Sequence, residues 1–99
     1  MKYRISYTAS VEIERICDYI AESNPDAAEK LDTQFHKVIK LIARFPGLGH
    51  HRPDVKDKRY LFKAVGKYLI AYRIEKQELV VVRVVHGARN IRKLLRKRK

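Results

Sequence analysis

A chain of 99 residues, 45% hydrophobic and 34% charged, is long enough to bury one small core, too short for two, and too apolar to be disordered as a whole. Its 23 Lys and Arg against 11 Asp and Glu leave a formal net charge of +12, which points to an anionic partner: nucleic acid, anionic lipid or an acidic protein. The single cysteine, Cys17, excludes an intrachain disulfide and a zinc site built on paired thiolates, and fits a reducing cytoplasm. Neither a signal-peptide core nor a segment of bilayer length is found in the sequence, so no membrane association is expected. One domain over residues 1–99 is expected.

In chain order, "KYRISY" alternates and predicts a strand over residues 2–7, with Tyr3, Ile5 and Tyr7 on one side. Thr8 or Ser10 is placed to cap a first helix, whose positive end Glu12 and Glu14 suit. Ile13, Ile16, Cys17 and Ile20 lie on one helical face, so Cys17 reads as core packing. In "SNPDAAEK", Asn24 caps and Pro25 starts a second helix, with Ala28, Leu31, Phe35, Val38, Ile39 and Ile42 as its apolar stripe and Lys30, Gln34, Lys37 and Lys40 elsewhere. The short connection predicts an antiparallel helical hairpin. "FPGLGHHRPD" ends it in irregular structure.

From Arg59 the apolar period becomes two, predicting a three-stranded antiparallel meander turned at Gly66-Lys67 and Lys76-Gln77. With the second turn there, Tyr72 stands opposite Val81, Ile70 opposite Arg83, and Leu69 opposite Val84. Both faces are largely apolar, as for a sheet with helices on one side. Gly87 ends the last strand, and residues 88–99 form a basic segment in which Ile91, Leu94 and Leu95 have helical spacing. The fold class is therefore α+β: an N-terminal strand, an antiparallel two-helix hairpin, a meander completing a curved sheet, and a short basic C-terminal helix or tail.

The sequence contains no Gly-rich phosphate loop, paired-Cys motif or nucleophile elbow. His50-His51 reads as an exposed loop rather than a metal site, His36 lies on the polar side of its helix, and no cofactor or metal is implied. Tyr72, Arg73, Arg83, His86 and Arg89 are the residue types a metal-independent ribonuclease needs: a base, an acid, and cations for the phosphorane charge. Strand alternation puts Arg83 and His86 on opposite faces, and only a bend or bulge at Gly87 would unite them. The alternative is that Arg83 pairs with an acidic helix residue while His86 hydrogen-bonds near the strand end.

The ordered features "RYLFKAVGKYLIAYRI" and "RVVHGARNI", behind a two-helix N-terminal half, resemble the RelE/ParE superfamily of bacterial toxin components. The Pro-Gly-x-Gly turn at residues 46–49, the Val-Gly-x-Tyr hairpin at 65–68, Tyr72-Arg73 and the Arg83-x-x-His86-x-x-Arg89 spacing resemble its ParE branch. The resemblance spans nearly the whole chain and implies one strand, a helical hairpin, a curved antiparallel sheet and a C-terminal segment. It also implies one of two activities: RelE-like members cut messenger RNA on the ribosome, and ParE-like members poison DNA gyrase by trapping its cleaved DNA. RNA-cleaving relatives often carry an arginine where this chain has Leu69, and a late tyrosine where this chain has none after Tyr72.

The leading expectation is thus a ParE-like toxin of a type II toxin-antitoxin system. It would act in the cytoplasm on DNA gyrase or a related topoisomerase with DNA, through Arg89, Arg92, Lys93, Arg96, Lys97, Arg98 and Lys99. The alternative is a ribosome-dependent endoribonuclease acting on mRNA with His86, Arg83, Arg89, Arg73 and Tyr72. A third reading is a nontoxic remnant that only binds an antitoxin. Both toxin readings imply a cognate antitoxin that lays an acidic amphipathic helix over an apolar groove and assembles into a hetero-oligomer.

Overall fold

The computed structural model describes residues 1–95. Their order is β1 (Lys2–Ile5), α1 (Tyr7–Ala21), α2 (Pro25–Arg44), a 3₁₀ turn (Pro46–Leu48), β2 (Leu61–Val65), β3 (Tyr68–Glu75), β4 (Glu78–His86) and α3 (Ile91–Leu94). The strands form one sheet in the order β1-β4-β3-β2, with β1 parallel to β4 and the other pairs antiparallel. The first strand is thus the neighbour of the last, and the sheet is mixed.

The first strand is shorter than the expected 2–7, because Ser6, rather than Thr8 or Ser10, starts the helix. Its Oγ accepts the Ala9 amide at 3.0 Å and donates to the Val82 carbonyl at 2.9 Å, so one hydroxyl caps α1 and docks it on β4. Tyr7 consequently leaves the strand face and is 85% exposed. The first turn of α1 contains no acidic residue; Glu12 and Glu14 come later, and Glu12 serves the sheet instead of the helix end. At the second helix the expectation holds. Asn24 Oδ1 accepts the Ala27 amide at 3.1 Å, with Pro25 opening the helix.

Ala9, Ile13, Phe35, Ile39 and Ile42 of the helices pack on Val65, Ile70, Tyr72, Leu79, Val81 and Val84 of the sheet. Full burial of each large apolar side chain is worth about 1.5–3 kcal/mol. Lys30, Gln34, Lys37 and Lys40 face solvent, as expected. The opposite sheet face carries a second cluster, Val55, Tyr60, Phe62, Ala71, Val85 and Ile91, with Leu69, Val82, Leu94 and Leu95 against it. The apolar residues of the C-terminal segment therefore cover sheet rather than project from it.

Both hairpins turn where expected. Gly66 has φ +58°, and Lys76 and Gln77 both have positive φ, 49° and 63°. Two consecutive positive values mark a type I′ turn, which matches the twist of flanking strands. The Tyr72↔Val81 pairing holds, but Ile70 faces Val84 and Leu69 faces Val85. The expected partners, Arg83 and Val84, are each one residue off. The cause is a bulge between Ala71 and Tyr72: Ala71 pairs with Arg83 and Tyr72 with Val81, leaving Val82 as the extra residue on β4.

Candidate target-binding surface

Tyr72 is fully buried. Its hydroxyl donates to the Pro46 carbonyl at 2.6 Å and accepts the Gly49 amide at 2.8 Å, so it pins the Pro46–Leu48 turn to the sheet. Burial pushes its phenol pKa up, partly offset by the Gly49 hydrogen bond. A phenol so held has no free route to a phosphate. Gly49 is dictated by the same contact, since a Cβ there would overlap the Tyr72 hydroxyl and ring edge.

Arg73 is also engaged. Its guanidinium donates to the Tyr60 hydroxyl at 3.0 Å, lies 5.5 Å from the Tyr60 ring centroid, and pairs with Glu75. Arg83 takes the alternative open to it in the sequence, pairing with an acidic helix residue. Its Nε and Nη2 reach Glu12 Oε2 at 2.9 and 2.6 Å, and Nη1 donates to the Leu94 carbonyl at 3.1 Å. The other Glu12 oxygen accepts the Val84 amide at 2.8 Å. β1 pairs with β4 only as far as Ile5↔Val81, so beyond that point Glu12 takes the place of the missing strand.

His86 ends β4 in the open. Its ring meets Tyr68 edge-on at 5.6 Å, and Nδ1 accepts the Ala88 amide at 3.0 Å, which in the neutral ring leaves the proton on Nε2. The bulge sits at Val82 and not at Gly87, and Arg83 and His86 share no partner among the described residues. The structure therefore does not assemble the five candidate catalytic residues into one cluster.

Of the candidate target-binding residues, Arg89, Arg92 and Lys93 are exposed, and none forms an ion pair among the described residues. Arg92 lies near enough to Asp54 to help hold its carboxyl below the usual range, behind the larger effect of the Arg52 hydrogen bond. Arg96, Lys97, Arg98 and Lys99 lie outside the described residues. Ile91, 1% exposed, anchors the segment, and Asn90 Oδ1 caps α3 through the Lys93 amide at 3.1 Å.

Charge is segregated along the chain. Seven of the 11 acidic residues, Glu12, Glu14, Asp18, Glu22, Asp26, Glu29 and Asp32, fall in the helical hairpin. Most of the cations follow them, and the excess is strongest at the C-terminal end. Exposed apolar side chains occur along the end of α2 and the turn after it, where Leu41, Phe45 and Leu48 are 44, 51 and 37% exposed, and at Met1, 54% exposed, whose amino group donates to the Ala43 carbonyl at 3.3 Å. Lys30, Lys37 and Arg44 share the outer face of α2 with Val38, Leu41 and Phe45 at helical spacing, and Arg44 lies 5.4 Å from the Phe45 ring centroid. Reading the sequence missed Glu12 and Ser6. A carboxylate one helical turn into α1 gives no local sign that it serves a strand edge some seventy residues on.

The family model described as the ParE toxin of a type II toxin-antitoxin system, parDE, matches residues 3–91. Among solved structures, one titled "Chromosomal ParDE TA system from P. aeruginosa" is similar with a TM-score of 0.74 at 16% sequence identity, over 87% of this chain and 95% of that chain. At that identity the likeness bears on the fold, whose strand, helical hairpin and meander are those described above. No curated relative matches.

Proposed function

The chain belongs to the ParE toxin family of type II toxin-antitoxin systems, and on that premise we propose that it acts by binding DNA gyrase with its cleaved DNA rather than by cutting RNA. The observation that carries this reading is the division of labour among the basic residues. Arg73 and Arg83 are held by Glu75 and Glu12 and Tyr72 is buried, whereas Arg89, Arg92 and Lys93 stand exposed on a segment anchored by Ile91. Exposed cations on a fixed support bind a phosphate backbone without needing chemistry of their own. Gyrase works on chromosomal DNA, so the proposed site of action is the cytoplasm. Among the described residues no helix is long and apolar enough to cross a membrane.

The antitoxin that a family of this kind implies is proposed to dock on the outer face of α2. There Val38, Leu41 and Phe45 offer an apolar stripe, and Lys30, Lys37 and Arg44 offer charge to an acidic amphipathic helix.

The test is a gyrase assay with purified protein, scoring lost supercoiling and accumulated cleaved DNA. The control is a variant with Arg89, Arg92 and Lys93 changed to Gln. Truncation at residue 90 is a poorer control, since it removes the buried Ile91. Cleaved DNA that depends on the three cations supports the proposal. No effect at saturating protein sinks it and turns attention to RNA on the ribosome, while growth arrest on induction separates either toxin from a nontoxic, antitoxin-binding remnant.

A further inference from the structure

α3 is a single turn of four residues, too short to hold itself in place. Its backbone bonds are local, Leu94 to Asn90 and Leu95 to Ile91. Among the described residues, one hydrogen bond ties residues 90–95 to the rest of the fold: Arg83 Nη1 to the Leu94 carbonyl, 3.1 Å. Ile91 supplies apolar attachment, which is non-directional; the guanidinium supplies direction. Arg83 is itself oriented by two bonds to Glu12 Oε2, while Glu12 is fixed by the Val84 amide on its other oxygen. The two side chains are only 21% and 16% exposed, so solvent screens them less than a surface pair.

We propose that Glu12 and Arg83 form a latch that fixes where the C-terminal basic segment stands, which makes Glu12 a positioning residue for target contact from a helix that supplies none of that segment's cations. The chain of contacts runs from the end of β1 opposite Val81, through the Val84 amide left at that open strand edge, to Glu12, to Arg83, and to the end of α3. Arg83 is the first residue back in the β3 ladder after the bulge, paired with Ala71. The role in target contact rests on the reading under Proposed function; the latch itself rests on the geometry alone.

The experiment compares the intact protein with Glu12→Gln and with Arg83→Lys. The first keeps an oxygen for the Val84 amide but loses the anion facing Arg83. The second keeps the charge and loses the fork that reaches both Glu12 and Leu94. Hydrogen exchange read over residues 91–95 is expected to quicken about tenfold in both, the scale set by losing one hydrogen bond to a charged group, with amides of Ile70 and Val81 unchanged. In a gyrase titration the protein concentration for half-maximal cleaved DNA rises about tenfold, while the cleavage reached at saturation is retained. Loss of global stability would instead quicken exchange throughout the core.

Unchanged exchange at 91–95 in both variants overturns the latch, and so does exchange that quickens everywhere in both. Faster segment exchange with an unaltered titration overturns the positioning role. A wild type that never poisons gyrase, alongside the expected exchange pattern, sinks the functional reading but supports the latch.

Discussion

The Tyr72 hydroxyl receives the Gly49 amide at 2.8 Å and gives its own proton to the Pro46 carbonyl, so one buried phenol satisfies both ends of the turn that closes α2. Tyr72→Phe is expected to lower stability by roughly 1–3 kcal/mol, leaving two backbone groups without their partner. Gly49→Ala is expected to cost roughly 3 kcal/mol, since its Cβ would meet the ring as well as the hydroxyl. Gly47→Ala, with nothing within 4 Å, stays within about 0.5 kcal/mol. Urea unfolding of the three variants checks the order.

The same phenol sets a pH dependence. Burial raises its folded pKa, so its contribution is fully present below the ordinary phenol value of about 10. Above that value the unfolded chain ionises first, and stability falls as pH rises. The alkaline loss of stability is expected to be shallower in Tyr72→Phe than in the wild type, measured as unfolding midpoint between about pH 9 and 11.

At the β3–β4 turn, Lys76 and Gln77 both hold positive φ, a conformation L side chains adopt at a cost. The pair Lys76→Asn and Gln77→Gly places the favoured type I′ residues there. The double variant is expected to gain about 1 kcal/mol, read as a rise in thermal midpoint with unchanged activity.

Binding of the C-terminal segment to DNA on gyrase is expected to be salt-dependent. In the variant with Arg89, Arg92 and Lys93 changed to Gln, each phosphate left without its cation should reduce the slope of log affinity against log salt by about 0.9. An identical slope for variant and wild type would remove these three cations from the interface.

His86→Ala is expected to leave gyrase poisoning within about twofold, because the ring's contacts are Tyr68 and the Ala88 amide at the strand end. An acid or base in RNA cleavage would instead lose on the order of 10²–10⁴ in rate when removed. Leu41→Asp, on the outer face of α2, should weaken antitoxin binding at least tenfold, scored by calorimetry, since an acidic residue in the apolar stripe opposes both burial and charge match.

Period and punctuation made the architecture legible: Asn24-Pro25, Gly66 and Lys76-Gln77 mark boundaries that the structure keeps. The register beyond Tyr72 was not legible, because nothing in "VVVRVVH" distinguishes a regular strand from one carrying an extra residue at Val82. The same ambiguity hid the partner of Arg83. Pairing with an acidic helix residue was foreseeable as a type, but Glu12 as that residue depends on β1 stopping at Ile5, which Ser6 decides by capping. Site residues were legible by chemistry and not by placement: Tyr72 has the residue type of a base and the surroundings of a pin.

The adjacency of β1 and β4 also orders events during synthesis. Lys2 precedes its strand partner Glu78 by most of the fold, so the first strand has no ladder to join until β4 is made. Local contacts let the hairpin of α1 and α2 form early, but the sheet face it covers closes only when the last strand arrives. Arg83 comes with that strand, and Leu94 later still. The acidic, helical half is therefore made before the basic half, and Arg89, Arg92 and Lys93, the cations proposed to meet the target, follow the last strand.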